Sequence, residues 1–257
     1  MKITFKVGTS TLTHSTGRLD IRSVEALCKV LSDVKNAGHE VILVSSGAIG
    51  MGVGKLNMKE RPKDMPSKQA AAAVGQCELM YVYDKLFGEY NHTVAQILIT
   101  GEDLKDEERH RNFANTLERL LELGALPIIN ENDTISTDEI AVGDNDTLGA
   151  MVAASVKADM FIVLTDIDGL YTADPRHDPD AEIIHEVTEI TEEMIRGAGG
   201  GGTELGTGGM ATKLAAAAIA MESGTDMVIV SGARPEIIYD VLDGKAAGTR
   251  FKGRKDS

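Results

Sequence analysis

The sequence runs to 257 residues, 42% hydrophobic and 26% charged, enough to bury a large core as one domain or as two intimate lobes. Its formal charge of −14 argues against a nucleic-acid partner, since affinity for a polyanion comes from a basic face that releases counterions, and no Lys/Arg cluster stands out before the closing Lys252 to Lys255. No apolar run approaches the roughly 18 residues that a membrane span needs, so no membrane is expected either.

A strand-like run starts at Ile3, leaving no room for a signal peptide, and the two cysteines, Cys28 and Cys77, sit in helical patterns without zinc-site spacing. Both are read as packed thiols of a reducing, cytoplasmic setting, and no protein-ligated metal is expected.

Along the chain, strand-like runs alternate with helical periods, the pattern of a mainly parallel sheet covered by helices on both faces. The first strand spans residues 3–7, with Lys6 one residue before its end. Val24, Leu27, Cys28, Leu31 and Val34 then recur at helical spacing, with Asp20 placed to cap the start and Gly38 to end the helix. Residues 41–44 form a continuous apolar run suited to a strand buried on both faces, and it opens into the small-residue segment 45–54. Such a segment can bring backbone N–H groups close to an anion, but it matches neither the P-loop nor the dinucleotide fingerprint, and a mobile turn is the simpler expectation. Residues 59–67 read as a loop, 68–87 as a long helix, alanine-rich in its first half, serving as core or as a subunit interface, 93–99 as a strand and 104–123 as one helix with a solvated, charged beginning.

Residues 126–129 form another buried-strand pattern, and the polar stretch 130–147 follows it. So many acids and amides either face water as a hairpin, with Asp146 as a helix cap, or line a site at the end of the strand, with Asp146 holding two distant lysines, Lys6 and Lys213. A helix is expected over 148–158, strands over 160–164 and 183–187, and polar residues again follow the first of these strands at Thr165 and Asp166. Residues 197–209 contain eight glycines in thirteen positions and cannot hold a regular element. A helix over 210–223 restarts with Lys213 in its first turn, where free N–H groups and a full positive charge suit a phosphate. A strand over 227–230 and a helix over 235–242 complete the expected elements.

Eight segments in this order resemble the amino acid kinase family: Lys6-Val7-Gly8-Thr9-Ser10, Ser45-Ser46-Gly47-Ala48-Ile49, Lys68-Gln69 with Ala73-Val74-Gly75-Gln76, Asn130-Glu131-Asn132-Asp133, Val142-Gly143-Asp144-Asn145-Asp146, Leu164-Thr165-Asp166, Gly169 to Arg176, and Gly206 to Lys213. The resemblance implies a three-layer αβα sandwich, an N-terminal lobe of about residues 1–155 for the acceptor and a C-terminal lobe of about 156–257 for ATP, with Mg²⁺ arriving on the nucleotide. It implies ATP-dependent phosphorylation of the γ-carboxylate of L-glutamate to L-glutamyl 5-phosphate, the first step of proline biosynthesis. By the same carry-over, Ser46, Gly47, Asp133 and Asn145, with Asp144, are expected on the acceptor side. Lys6, Thr165, Asp166 and the segment Thr207, Gly208, Gly209, Met210, Ala211, Thr212 and Lys213 are expected on the nucleotide, and Lys6 and Lys213 on the transferred phosphoryl with Asp146 between them. Feedback inhibition by proline and a homodimer or homotetramer are further implications. Longer family members carry a C-terminal PUA domain, which is not expected here, since the sequence ends at Ser257.

A glutamate side chain ionises near pH 4.3, so the acceptor carboxylate is already a nucleophile at neutral pH and no histidine base is required. The barrier lies in bringing it to a polyphosphate, which charge neutralisation and in-line positioning must lower. The glycine-rich 197–209 segment is expected to order over the nucleotide and exclude water from the acyl phosphate product. Rival expectations are a kinase of the same fold acting on acetylglutamate, carbamate, aspartate or a nucleoside monophosphate, and a non-catalytic amino-acid or nucleotide sensor.

Overall fold

Strands that are apolar on both faces can be satisfied only when helices cover both sides of the sheet, and the computed structural model has that arrangement. It describes residues 1–14, 16, 18–135, 145–175, 177–178, 180–198 and 209–254. In chain order the elements are β1 (Lys2–Val7), α1 (Thr9–Leu12), α2 (Ile21–Asn36), β2 (Glu40–Ser45), α3 (Ala48–Lys55), α4 (Met65–Gly88), β3 (Val94–Ile99), α5 (Gly101–Lys105), α6 (Glu107–Glu122) and β4 (Leu126–Glu131). There follow α7 (Asn145–Ser155), β5 (Met160–Thr165), β6 (Leu170–Tyr171), β7 (Ile183–Ile184), β8 (Glu186–Val187), α8 (Glu192–Gly197), α9 (Met210–Glu222), β9 (Asp226–Ser231), α10 (Ile237–Leu242) and β10 (Thr249–Phe251).

Eight strands form one sheet in the order β3-β4-β2-β1-β5-β9-β10-β8, parallel except where β10 meets β9. Side-chain alternation divides the core in two. Val41 and Leu43 join Ile3, Phe5 and Val7 against α2, α4 and α10, whereas Ile42 and Val44 face the layer of α6, α7 and α9. The result is a three-layer αβα sandwich. Near residue 155 the sheet is continuous, because β1 pairs with β2 on one side and with β5 on the other. Among the described residues no helix is long and apolar enough to cross a membrane.

Local signals hold well at α2, where Asp20 accepts from the Ser23 N–H and Gly38 takes a left-handed φ of 92°. Several expectations need correction. Residues 48–55 are not a mobile turn but the helix α3, whose glycines serve close approach. A Cβ on Gly52 would stand 1.8 Å from the Ala71 carbonyl oxygen, and one on Gly75 would stand 1.7 Å from that of Ala48. Because the obstacle is backbone on both sides, Gly75→Ala is expected to cost more than the about 1–3 kcal/mol usual for overpacking. An unchanged urea midpoint for Gly75→Ala would contradict this account.

The long alanine-rich helix starts at Met65, three residues earlier than expected, because Asp64 caps it and Pro66 is tolerated in its first turn. Residues 104–123 are not one helix: Asp106, in an extended conformation, ends α5 and caps α6 through the Arg109 N–H. The expected strand 183–187 is split between β7, antiparallel to β6, and β8, parallel to β10. Cys28 is buried as expected, but Cys77 is exposed on α4 and is not a packed thiol.

Candidate functional site

The carboxyl ends of β1, β2, β4, β5 and β9 all lie on one edge of the sheet, and the chain leaves β1 towards β2 but leaves β5 towards the β9 side, so the crevice between β1 and β5 is a topological switch point. Lys6 pairs in register with Val44 and Val163 just short of that edge. Since Ile3, Phe5 and Val7 face α2 and α4, Lys6 emerges on the opposite face, under the first turns of α7 and α9. Gly149 lets α7 sit this low: a Cβ there would reach within 2.6 Å of the Phe161 ring and 3.6 Å of the Lys6 Cβ.

Three ionised groups meet in this space. Lys6 Nζ lies 2.6 Å from Asp146 Oδ1, and Lys213 Nζ donates to Asp146 Oδ2 at 3.1 Å. Asp146 is 0% exposed, Lys213 3% and Lys6 6%. Asp146 is therefore not a solvated helix cap. Among the described residues two ammonium groups share this carboxylate, and two cations in one low-dielectric cleft favour an anionic ligand. The cluster lies at the start of α9, whose first N–H groups reinforce the same sign; Gly209, Met210 and Thr212 are half-buried there and Ala211 is exposed.

One residue before Asp146, Asn145 opens a second, uncharged cluster. Its Nδ2 donates to Ser46 Oγ at 2.9 Å and to Asn130 Oδ1 at 3.0 Å, and Asn130 Nδ2 donates to Gln76 Oε1 at 2.9 Å. The Asn130 Oδ1 also accepts from the Glu131 N–H at 2.9 Å. Gly47, next to Ser46, has φ 107°, a left-handed turn that takes the chain from β2 into α3. Asp133, two residues beyond β4, is half-buried; desolvation and the nearby Glu131 charge push its pKa up to about 6. Among the described residues no cation stands against it. Thr165, at the end of β5, is buried and donates to the Asp166 carboxylate at 3.1 Å, while Asp166 is exposed.

Lys6, Asp146 and Lys213 are thus brought together, as are Ser46 and Asn145, and the first turn of α7 joins the two groups. Thr165 and Asp166 stand apart, on the β5 side of the crevice. Asp144, Thr207 and Gly208 lie outside the described residues, as does most of the glycine-rich segment, 199–208. Sequence reasoning did not single out Gln76 and Asn130; the available signal was a glutamine on a helix otherwise lined with alanine and an asparagine ending a buried strand.

This fold and these motifs define a phosphoryl-transfer class of protein, and comparison agrees. The family model described as "Amino acid kinase family" matches residues 1–231. The chain belongs to the amino acid kinase family. It is 54% identical to the glutamate 5-kinase of Clostridium tetani, over 98% of this chain and 95% of that protein, and 51% identical to that of Clostridium perfringens, over 99% and 96%. The glutamate 5-kinase of Caldanaerobacter subterraneus is 49% identical, with all of this chain matching 69% of the relative. Among solved structures, carbamate kinase from Giardia lamblia bound to AMP-PNP superposes with a TM-score of 0.71 at 18% identity, covering 98% of each chain. Isopentenyl phosphate kinase from T. acidophilum superposes with a TM-score of 0.67 at 19% identity, covering 98% of this chain and all of that one.

Proposed function

We propose that this protein transfers the γ-phosphoryl group of ATP to the γ-carboxylate of L-glutamate, giving L-glutamyl 5-phosphate. The observation that carries this reading is the buried pair of lysines on one carboxylate, beside a polar cluster of Ser46 and Asn145. Roughly half of the chain is identical to named glutamate 5-kinases over nearly its full length, which supports glutamate as the acceptor.

In this reading Lys6 and Lys213 neutralise charge on the phosphoryl in flight, and Asp146 fixes both ammonium heads so that they need not reorganise as the reaction proceeds. The acceptor carboxylate attacks without a base. Thr165, Asp166 and the segment from Gly209 to Lys213 hold the nucleotide on the β5–β9 side, and Thr207 and Gly208 belong to the same segment. The two lysines and the start of α9 fit a triphosphate. Mg²⁺ travels on its phosphates and supplies further neutralisation when bound. Ser46, Gly47, Asp133, Asp144 and Asn145 hold glutamate on the β2–β4 side, with the Asp133 carboxylate placed for the substrate ammonium. The lobes meet near residue 155, with the acceptor mainly on residues 1–155 and ATP mainly on 156–257.

Incubation with ATP, Mg²⁺ and hydroxylamine traps an acyl phosphate as its hydroxamate. Glutamate is expected to yield it, and N-acetylglutamate and aspartate are not. Hydroxamate from another acid but not glutamate would overturn the acceptor, and none from any acid would favour a sensor.

Asp133 adds a pH dependence. A carboxyl that ionises at about 6 is about nine-tenths charged at pH 7 and about one-tenth charged at pH 5. The kcat/KM for glutamate is therefore expected to fall about tenfold between pH 7 and pH 5. In Asp133→Asn this step should vanish from a lowered profile. Before glutamate binds, the raised pKa acts on stability in the opposite direction: whatever the protonated carboxyl contributes is present below about pH 4 and is lost as pH rises through about 6.

Feedback inhibition by proline at or near the acceptor subsite is proposed on the family resemblance, and the α-carboxylate and ammonium that proline shares with glutamate are compatible with it. A homodimer, or a tetramer built from it, is proposed on two uncovered surfaces. Ala70, Ala73, Cys77 and Tyr81 form an exposed stripe on α4, and edge strand β3 leaves Val94, Ala95, Ile97 and Leu98 half-exposed with no charge among them. Sedimentation velocity reading a single monomer mass would refute it.

A further inference from the structure

Helix α4 carries one exposed stripe and one buried face, and the buried face does more than pack. Ala71, Ala72, Gly75, Leu79 and Phe87 are apolar or lack a side chain; the buried residues with polar atoms are Gln76 and Tyr83, seven positions apart and hence on the same side of the helix. Each commits its polar atom to the neighbourhood of the acceptor subsite. Gln76 Oε1 accepts from Asn130 Nδ2 at 2.9 Å. The Tyr83 hydroxyl meets Ser45 Oγ at 2.8 Å, and Ser45 Oγ donates to the Ser46 carbonyl at 3.0 Å, so the phenol is the donor to serine.

Packing alone does not account for this pair. Tyr83 is fully buried among Leu79, Phe87 and Cys28, where phenylalanine would fill nearly the same volume without a hydroxyl to desolvate. Burial pushes the phenol pKa up, so the group keeps its proton and remains a donor. Ser45 is likewise fully buried at the end of β2, where an apolar residue would pack as well.

We propose that Gln76 and Tyr83 are positioning residues of the acceptor subsite: α4 holds Asn130 with one side chain and, through the Ser45 hydroxyl, the Ser46–Gly47 peptide with the other. Asn145 closes the circuit, since its Nδ2 bonds both Asn130 Oδ1 and Ser46 Oγ and lies 3.4 Å from the Ser45 carbonyl. The Ser45–Ser46 peptide is tied through the Ser46 N–H to the Val7 carbonyl at 3.0 Å, and the Ser45 hydroxyl under Tyr83 holds the next peptide through the Ser46 carbonyl, so Ser46 is fixed on both sides. Without the phenol, Ser45 Oγ can turn away from the Ser46 carbonyl, and Ser46 Oγ loses its fixed place beside Asn145. This inference rests on the reading of Ser46 and Asn145 as acceptor-binding residues.

The test is steady-state kinetics on the full chain with Tyr83→Phe, Ser45→Ala, Gln76→Leu, Gln76→Glu and Ser46→Ala. Tyr83→Phe is expected to raise the KM for glutamate about 3- to 10-fold, the scale of one neutral hydrogen bond, with kcat and the KM for ATP within about twofold of the parent. Tyr83→Phe combined with Ser45→Ala should be no worse than Ser45→Ala alone, because both cut the same arm. Gln76→Leu should raise the glutamate KM in the same range, and Gln76→Glu, which keeps an acceptor for Asn130, should largely restore it. A Tyr83→Phe variant that melts earlier but keeps the parental glutamate KM would overturn the inference, as would equal changes in both KM values. If Ser46→Ala leaves the glutamate KM unchanged, the acceptor-subsite reading falls and takes this one with it. If Ser46→Ala raises it while neither Tyr83→Phe nor Gln76→Leu does, only the positioning role is lost.

Discussion

Lys213→Ala is expected to lower kcat by about 10²- to 10³-fold while the protein remains folded. Lys213 is 3% exposed and shares the Asp146 carboxylate with Lys6, so its removal leaves that carboxylate still paired with a cation. Because the variant removes one of two cations from the cleft, the loss should fall on the transition state, where phosphoryl charge is being redistributed. The KM for glutamate should move little, since the Ser46 and Asn145 cluster is untouched. Circular dichroism and steady-state kinetics on the same preparation check both halves. A well-folded Lys213→Ala enzyme turning over near the parental rate would remove Lys213 from the reaction.

Asp146→Asn should act on stability and rate together. Asparagine keeps the shape but strips a carboxylate that pairs with two buried ammonium groups, and breaking a buried pair from one side costs about 3–5 kcal/mol. For a chain of this size that lowers the melting temperature by roughly 6–15 °C. Turnover should fall by at least about 10²-fold, because the lysine heads lose their common anchor. The double variant Asp146→Asn/Lys213→Met separates the two effects: removing one of the stranded cations should recover much of the stability and none of the rate. A single Asp146→Asn variant with parental melting and parental kcat would mean that the carboxylate neither holds the lysines nor matters to them.

The helices and strands legible in advance were those whose signals are local. The capped α2 and the apolar runs of β1, β2, β4 and β5 carry their periodicity and their stop residues within a few positions. Lys6 could be placed just short of a strand end, and Lys213 in the first turn of a helix, for the same reason. What misled were segments whose local signal points away from the final state. Residues 48–55 contain glycine at every second position from 50 to 54 and so read as a turn. They are helical because Gly52 and Gly75 let α3 and α4 come into backbone contact, a gain that appears only when both helices are present. The break at Asp106 hid in a run of charges, and β10, three residues long, exists through its antiparallel pairing with β9.

From the chain alone came the order of the longer strands and helices, the αβα class, and the sites where polar residues follow buried strands, because each depends on neighbours in sequence. Folding decided the rest. The meeting of Asp146 with Lys6 and Lys213 stood in the sequence as one of two readings and as an implication of the family resemblance; Lys213 lies 67 residues from Asp146, and no periodicity encodes their contact. It arises because parallel strands align their carboxyl ends at one edge, where β1 and β5 diverge and two helices begin. The roles of Gln76 and Asn130 were invisible for a related reason: a buried amide acquires meaning only from the side chain it faces, and that side chain comes from another element.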